Sequence, residues 1–314
     1  MSLVRSIFLS ASQSAWLRDR APRLAFVRRT AGRFLPGEDA DAALAAARTL
    51  AASGVITLLT HLGENVASRD EAKAVTSQYL DLIARVRAAG LPSEISVKLT
   101  QLGLDLDAEF CFANLVKLIE SSASADARAA KTLWIDMEQS PYVDVTLSLY
   151  RRARAAFRNV GVCVQAYLYR TEKDVASLIA QGATVRLVKG AYNEPAEIAY
   201  PKKSDVDENY FRLAQVLLGP EARSAGVRAA MATHDRPLSA RITGWAAAQQ
   251  IPKAELEFAM LYGIQRAEQL RLAREGYRSC VLISYGSYWF PWFMRRLAER
   301  PANAWFLARN IFSS

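Results

Sequence analysis

Nine consecutive residues, Thr184-Val185-Arg186-Leu187-Val188-Lys189-Gly190-Ala191-Tyr192, put two cations, a glycine and an aromatic ring into an otherwise apolar stretch. Val185 to Val188 reads as a short strand, apolar and rich in β-branched residues. Strand alternation sets Arg186 on the face of Val188 and sends Leu187 and Lys189 to the other. Two long cationic side chains in such a strand are costly unless partnered. Gly190 and Ala191 then remove bulk where the strand ends, so a ligand can approach the backbone closely. Tyr192 follows as a platform. The pattern fits a strand end facing a flat, electron-rich or anionic ligand, and it equally fits a solvated strand end with two snorkelling cations.

Polar residues close several other apolar stretches in the same manner. Lys98 follows Val97, Asp136 follows Ile135, and Gln165 and Tyr167 end another run. Thr233-His234-Asp235 ends a further one, Leu261-Tyr262-Gly263 another, and Arg295-Arg296 lie in a helical segment near the end of the chain. Each residue has a plainer interpretation. Lys98 and Asp136 suit an ion pair across adjacent strands, His234 a satisfied rim histidine, and Arg295 an i,i+4 partner for Glu299. Their coincidence at strand ends favours a site.

The elements that must position these residues alternate along the chain. Strand-like runs begin at Val55, Ile95, Leu133, Val162, Val185, Val227, Glu255 and Cys280. Helical segments separate them: Arg69 to Ala89, Asp107 to Ser121 with Asp107 as N-cap, Val143 to Phe157, Glu172 to Gln181, Glu208 to Leu218, Arg236 to Gln250 and Ala267 to Glu275. Thr171 and Asp174 have the spacing of a capping box. A final helix begins at Trp292. Eight strands alternating with helices predict an α/β fold, a distorted (βα)8 TIM-like barrel, with an N-terminal helical arm over residues 1–50, the catalytic barrel over 51–314, and the final helix over the barrel mouth. A doubly wound sheet is the competitor, but no G-x-G occurs anywhere in the sequence, which disfavours Rossmann-type dinucleotide binding.

Composition narrows the partners. The chain has 314 residues, 51% of them hydrophobic, which is enough for a large core. No apolar run reaches about 18 residues, so no spanning helix is expected. The formal charge of +9, from 40 Lys+Arg against 31 Asp+Glu, favours an anionic cofactor, a carboxylate substrate, a membrane surface or nucleic acid. No nucleic-acid motif is present, and none is expected as a partner. Three cysteines and two histidines, without CxxC, make a disulfide framework or a Cys/His zinc site an unexpected reading, and no metal is assigned. The first 33 residues carry seven arginines, from Arg5 to Arg33. Asp19 interrupts them and no small-residue cleavage site follows, so they read as a helical arm or membrane-surface helix rather than a transit peptide.

On these residues the chain resembles the proline dehydrogenases, monofunctional bacterial flavoenzymes that also form one domain of the bifunctional proline utilization A proteins. The matching segments are VKLTQLGL at 97–104, WIDMEQS at 134–140, QAYL at 165–168, RLVKGAY at 186–192, ATHD at 232–235, EFAMLYG at 257–263 and FMRRLAERPAN at 293–303. The resemblance implies FAD held non-covalently at the barrel mouth, oxidation of L-proline to Δ1-pyrroline-5-carboxylate, and a quinone electron acceptor. It assigns Lys98, Arg295 and Arg296 to the substrate carboxylate, and Tyr192, Leu261 and Leu282 to the proline ring. Asp136 orients Lys98, and Arg186 stands near flavin N5. Met137, Gln165, Val188, Lys189, Gly190, Ala191, Thr233 and His234 line the cofactor. A cytoplasmic protein with peripheral contact at the inner membrane face follows from the quinone. Two residues depart from the family: Leu282 and Trp292 stand where tyrosines are usual, which opens the pocket to 4-hydroxyproline or another cyclic amino acid. A lysine at a strand end, Lys98 or Lys189, would also suit a Schiff-base aldolase.

Overall fold

The computed structural model describes residues 25–63, 66–123 and 131–299, together with Trp16 and Arg20; of residues 25, 26, 28, 295 and 297–299 it describes the backbone only. Most of the arginine-rich arm expected over the first residues therefore lies outside the described residues.

Eight parallel strands close into a barrel in chain order: β1 (Ile56–His61), β2 (Ser93–Val97), β3 (Leu133–Ile135), β4 (Val160–Gln165), β5 (Thr184–Val188), β6 (Arg228–Ala232), β7 (Glu257–Leu261) and β8 (Arg278–Tyr285). The last strand pairs back onto the first, with Leu58 opposite Leu282 and His61 opposite Tyr285. The predicted architecture is thus the observed one. The helices are α1 (Ala25–Ala31), α2 (Ala40–Ala51), α3 (Arg69–Ala88), α4 (Ala108–Ser122), α5 (Val143–Ala156), α6 (Thr171–Ile179), α7 (Lys203–Leu218), α8 (Pro220–Ser224), α9 (Arg236–Ala248), α10 (Arg266–Arg274) and α11 (Trp289–Glu299).

Strand boundaries differ from the sequence reading in both directions: β1 and β6 begin one residue later than expected, and β7 two, because Lys253–Glu255 forms a 3-10 turn ahead of it. β2, β4 and β8 each begin two residues before the first residue expected, and β7 runs on to Leu261. The cause is a charged barrel floor that no apolar pattern reveals. Arg228 binds Glu94 at 2.7 Å and Glu257 at 2.9 Å, and Arg278 binds Glu257 at 3.2 Å. The indole N–H of Trp134 donates to Glu94 at 2.7 Å. Burial opposes the Glu94 charge, yet the Arg228 guanidinium outweighs it and holds the carboxyl below its ordinary pKa.

Outward residues such as Leu59, Val97, Ile135, Val162, Leu187, Met231, Phe258 and Ile283 form one core with the helices. Inside the barrel Leu58, Trp134, Ala230, Ala259 and Cys280 form another. Gly161 makes room for the Trp134 ring: a Cβ there would lie 2.7 Å from it.

Helix starts follow short polar side chains. Asp39, Ser68, Asp107 and Asp235 accept from the backbone N–H groups of Ala42, Glu71, Phe110 and Leu238. The capping box expected at Thr171 does not form. Thr171 is already helical, its hydroxyl donates to the Gln165 carbonyl, and Asp174 pairs with Arg170 instead. α7 begins at Lys203, five residues before the expected Glu208, because Lys203 and Asp207 pair one turn apart and anchor its first turn. α11 begins at Trp289 rather than Trp292. Its aromatic face joins Val27, Ala31, Leu35, Leu62, Leu261 and Ile264 in a separate apolar cluster at the mouth. Within that cluster, Trp289 donates to Glu38 at 3.0 Å. α2 buries Ala43, Leu44, Ala47 and Leu50 in the main core.

Candidate active site

Strand alternation carries polar side chains from four neighbouring strands into the barrel just below its C-terminal rim. Arg186 is central and 5% exposed. Its Nη2 forms an ion pair with Asp136 Oδ1 and donates to Ser96 Oγ at 2.9 Å. Its Nε donates to Cys163 Sγ at 2.9 Å. The guanidinium lies 5.2 Å from the centre of the Trp134 ring, whose other neighbour is Arg228 at 5.3 Å. Burial works against the Arg186 charge, but Cys163 and Asp136 hold its pKa above the ordinary value. The sequence reading of this strand holds: Arg186 faces inward, while Lys189 joins the helices outside.

Asp136 Oδ1 also accepts from Ser96 at 2.9 Å and lies 3.7 Å from Cys163 Sγ. Its pairing with Arg186 reaches from β3 to β5, a contact that adjacent-strand reasoning did not anticipate. The Lys98 charge acts on Glu138. Glu138 is buried, accepts from the Thr100 hydroxyl at 2.8 Å and from its N–H at 3.3 Å, and is pushed above its ordinary pKa by burial, with Lys98 and Thr100 opposing.

Gln165 ends β4. Its Nε2 donates to the Glu138 carbonyl at 3.1 Å and the Met137 carbonyl at 3.5 Å, while its Oε1 is buried with no hydrogen-bond partner among the described residues. Val188 ends β5 beside it, paired in register. Gly190 has φ +116°, and a Cβ there would lie 2.3 Å from the Tyr167 ring, so the turn through Gly190-Ala191-Tyr192 requires glycine. Lys189 and Lys203 share the carboxylates of Asp207 and Asp235, tying the start of α7 to the start of α9. Burial opposes the Asp235 charge, but the lysines and the Leu238 N–H hold its pKa down at about 2.

Thr233 is buried at the end of β6, and His234 Nε2 accepts from the Leu261 N–H at 2.9 Å, which places the lone pair on that nitrogen. Leu261 belongs to the apolar cluster of the mouth, and Leu282 packs between that cluster and the barrel interior. Ser284 follows on the same face, 1% exposed, its hydroxyl without a hydrogen-bond partner among the described residues. On α11 the Arg296 guanidinium lies 5.8 Å from the Trp292 ring centre; the Arg295 side chain lies outside the described set.

Lys98, Asp136, Gln165, Val188, Thr233 and His234 stand at or just past the C-terminal ends of their strands. Ser96, Cys163, Glu138 and Trp134 were missed. The first two were available from alternation, since each lies two residues before a chosen candidate, Lys98 and Gln165.

A closed α/β barrel with a buried guanidinium under a rim of cations and amides defines a TIM-barrel enzyme. The proline dehydrogenase family model matches residues 43–309. The chain is 37% identical to proline dehydrogenase 1 of Bacillus subtilis over 309 residues, covering 98% of this chain and 99% of that protein. It is 38% identical to the proline dehydrogenase of Deinococcus radiodurans over 283 residues, 90% of this chain and 89% of that one. Among solved structures, it is similar to proline utilization A from Bdellovibrio bacteriovorus inactivated by N-propargylglycine, with TM-score 0.78 and 26% identity over 86% of this chain. The chain spans about a third, 32%, of that protein's length. The chain belongs to the proline dehydrogenase family, oxidoreductases of proline catabolism.

Proposed function

We propose that the protein is an FAD-dependent dehydrogenase that oxidises L-proline to Δ1-pyrroline-5-carboxylate and passes the electrons to a quinone, the first step of proline catabolism. The observation that carries this reading is the buried Arg186, fastened on two edges below a rim whose residues fit a flavin. Gln165 offers a buried acceptor without a partner. Nη1 of Arg186 forms no hydrogen bond among the described residues, so a cation and an amide are available on the inner face of adjacent strands. Met137, Gln165, Val188, Lys189, Gly190, Ala191, Thr233 and His234 would hold the flavin. With its ammonium bound to two carboxylates, Lys189 would contribute through its backbone. A flavin held there would supply the acceptor for hydride from the carbon next to the proline nitrogen.

The chain's own residues bind and orient the substrate. Proline is zwitterionic, so its carboxylate needs cations in a dry site. Arg295, Arg296 and Lys98 supply them, and an arginine can grip a carboxylate with two parallel hydrogen bonds. Tyr192, Leu261 and Leu282 enclose the ring. Asp136 neutralises Arg186 and holds it and Lys98 in place.

Among the described residues no helix is long and apolar enough to cross a membrane. On this reading a lipid quinone is met by peripheral contact, from the cytoplasm, at the inner membrane face.

A second reading concerns the substrate. Leu282 lacks the phenol usual in the family, and the Ser284 hydroxyl beyond it is buried and has no hydrogen-bond partner among the described residues. An unmade hydrogen bond costs about 1–3 kcal/mol, which a ring hydroxyl on the substrate would recover. This favours acceptance of 4-hydroxyproline, and Leu282→Tyr should then raise the preference for proline. A wild-type enzyme that turns over proline but not trans-4-hydroxy-L-proline removes the second reading.

One visible spectrum tests the main reading. The purified protein should be yellow, and anaerobic proline should bleach it. Absence of flavin, or a flavin that proline leaves oxidised, overturns it.

A further inference from the structure

The guanidinium of Arg186 has five N–H donors in one plane. Two edges are committed. Nε donates to Cys163 Sγ at 2.9 Å, and Nη2 to Ser96 Oγ at 2.9 Å and to Asp136. The Trp134 ring lies against the guanidinium, 5.2 Å from it to the ring centre, and Arg228 packs on the same ring at 5.3 Å. Nη1 is left over, with no hydrogen bond among the described residues.

Cys163 and Ser96 do the same work from opposite sides. The Ser96 hydroxyl accepts from Arg186 and donates to Asp136 at 2.9 Å. The Cys163 sulfur accepts from Nε, and its S–H is directed at the same Asp136 oxygen, 3.7 Å away. Burial pushes the Cys163 thiol up to about 12, so it stays protonated and can act as acceptor and donor together. Asp136 engages all three groups through Oδ1. A carboxylate that binds through one oxygen fixes charge but not rotation. The sulfur and the hydroxyl, on two different strands, supply the missing directions.

We propose that Cys163 and Ser96 are positioning residues for the flavin chemistry: they lock the guanidinium so that its Nη1 edge alone is presented to the rim, and so set the potential of the cofactor. The inference rests on the reading that a flavin is bound above Arg186. A fixed cation stabilises the negative charge that reduction places on the ring. A guanidinium free to swing toward Asp136 presents that charge less well, and the reduced form loses stability.

The test compares midpoint potentials of holoenzyme by spectroscopic redox titration. Cys163→Val keeps bulk but accepts no hydrogen bond. Its two-electron reduction equilibrium should become about tenfold less favourable, or about 30 mV more negative. The turnover number should fall and the proline KM change little. Cys163→Ser keeps both hydrogen bonds and should restore the wild-type potential. Ser96→Ala should shift the potential in the same direction as Cys163→Val, and it decides the matter if the valine variant does not fold. A flavin-bearing wild type whose potential neither Cys163→Val nor Ser96→Ala moves overturns the inference while leaving the function intact. A wild type that binds no flavin removes both.

Discussion

Removing the Asp136 carboxylate is the sharpest perturbation of the buried cluster. The Arg186 side chain is 7% exposed and that of Asp136 19%. Breaking a buried pair from one side typically costs about 3–5 kcal/mol, because a charge is left without its partner. Two features put Asp136→Ala at the low end. The carboxylate reaches the rim, where water can follow, and Ser96 and Cys163 still accept from the guanidinium. About 3 kcal/mol is therefore expected. At roughly 2–4 °C per kcal/mol for a large domain, the melting temperature should fall by about 6 °C or more. Asp136→Asn keeps an acceptor oxygen and loses only the charge, so about half that fall is expected. Thermal melts of holoenzyme at pH 7 measure both. Most of the effect should survive 0.5 M salt, because a largely buried pair is screened much less than an exposed one. A fall under about 2 °C for Asp136→Ala, or one that salt abolishes, would show that the pair does not hold the barrel together as described.

Three further outcomes follow from the geometry. Burial raises the Glu138 pKa, so its charged form is disfavoured in the fold; the stability it costs is absent at low pH and appears as pH rises above the ordinary carboxylate value. Glu138→Gln should accordingly stabilise the protein at pH 8 and have little effect near pH 4, and denaturant melts at the two pH values showing the reverse order would contradict this. The Asp235 pKa is depressed to about 2, so its contribution is present above the ordinary value near 4 and is lost as pH falls toward 2. Asp235→Asn should flatten the acid-unfolding curve in that window, and a curve superimposable on wild type would count against the Lys189–Lys203 tie. Gly263 has φ +76°, and a Cβ there would lie 1.7 Å from the Arg33 carbonyl. Gly263→Ala should dislodge the segment that follows α1, seen as faster proteolysis near residue 33, and unchanged proteolysis would contradict this packing.

Much of the site was legible because a barrel places function at a predictable depth. Lys98, Asp136, Gln165 and His234 each close an apolar run and Arg186 interrupts one, so strand alternation marks them as candidates for the barrel interior or its rim. Ser96 and Cys163 were passed over although alternation sets them on the faces of Lys98 and Gln165. A serine and a cysteine inside a strand look like ordinary small core residues, and only the approach of Arg186 from β5 gives them a role. The floor was hidden in the same way. Glu94, Arg228, Glu257 and Arg278 read as polar strand flanks until closure brings them together. The expected capping box at Thr171 failed because two tertiary partners, the Gln165 carbonyl and Arg170, outcompeted the local pattern.

The sequence by itself determined the alternation of strands and helices, the inward direction of Arg186, and the placement of charge at strand ends. Those properties depend on neighbours two to four residues apart, where backbone geometry alone decides which side chains share a face. The tertiary structure alone decided which charges meet. Asp136 takes Arg186 as an ion-pair partner across the barrel, Trp134 packs against two guanidinium groups, and Lys189 leaves the interior for Asp207 and Asp235. Pairings between residues 18 to 94 positions apart depend on the stagger and closure of the whole sheet, and no local pattern encodes them.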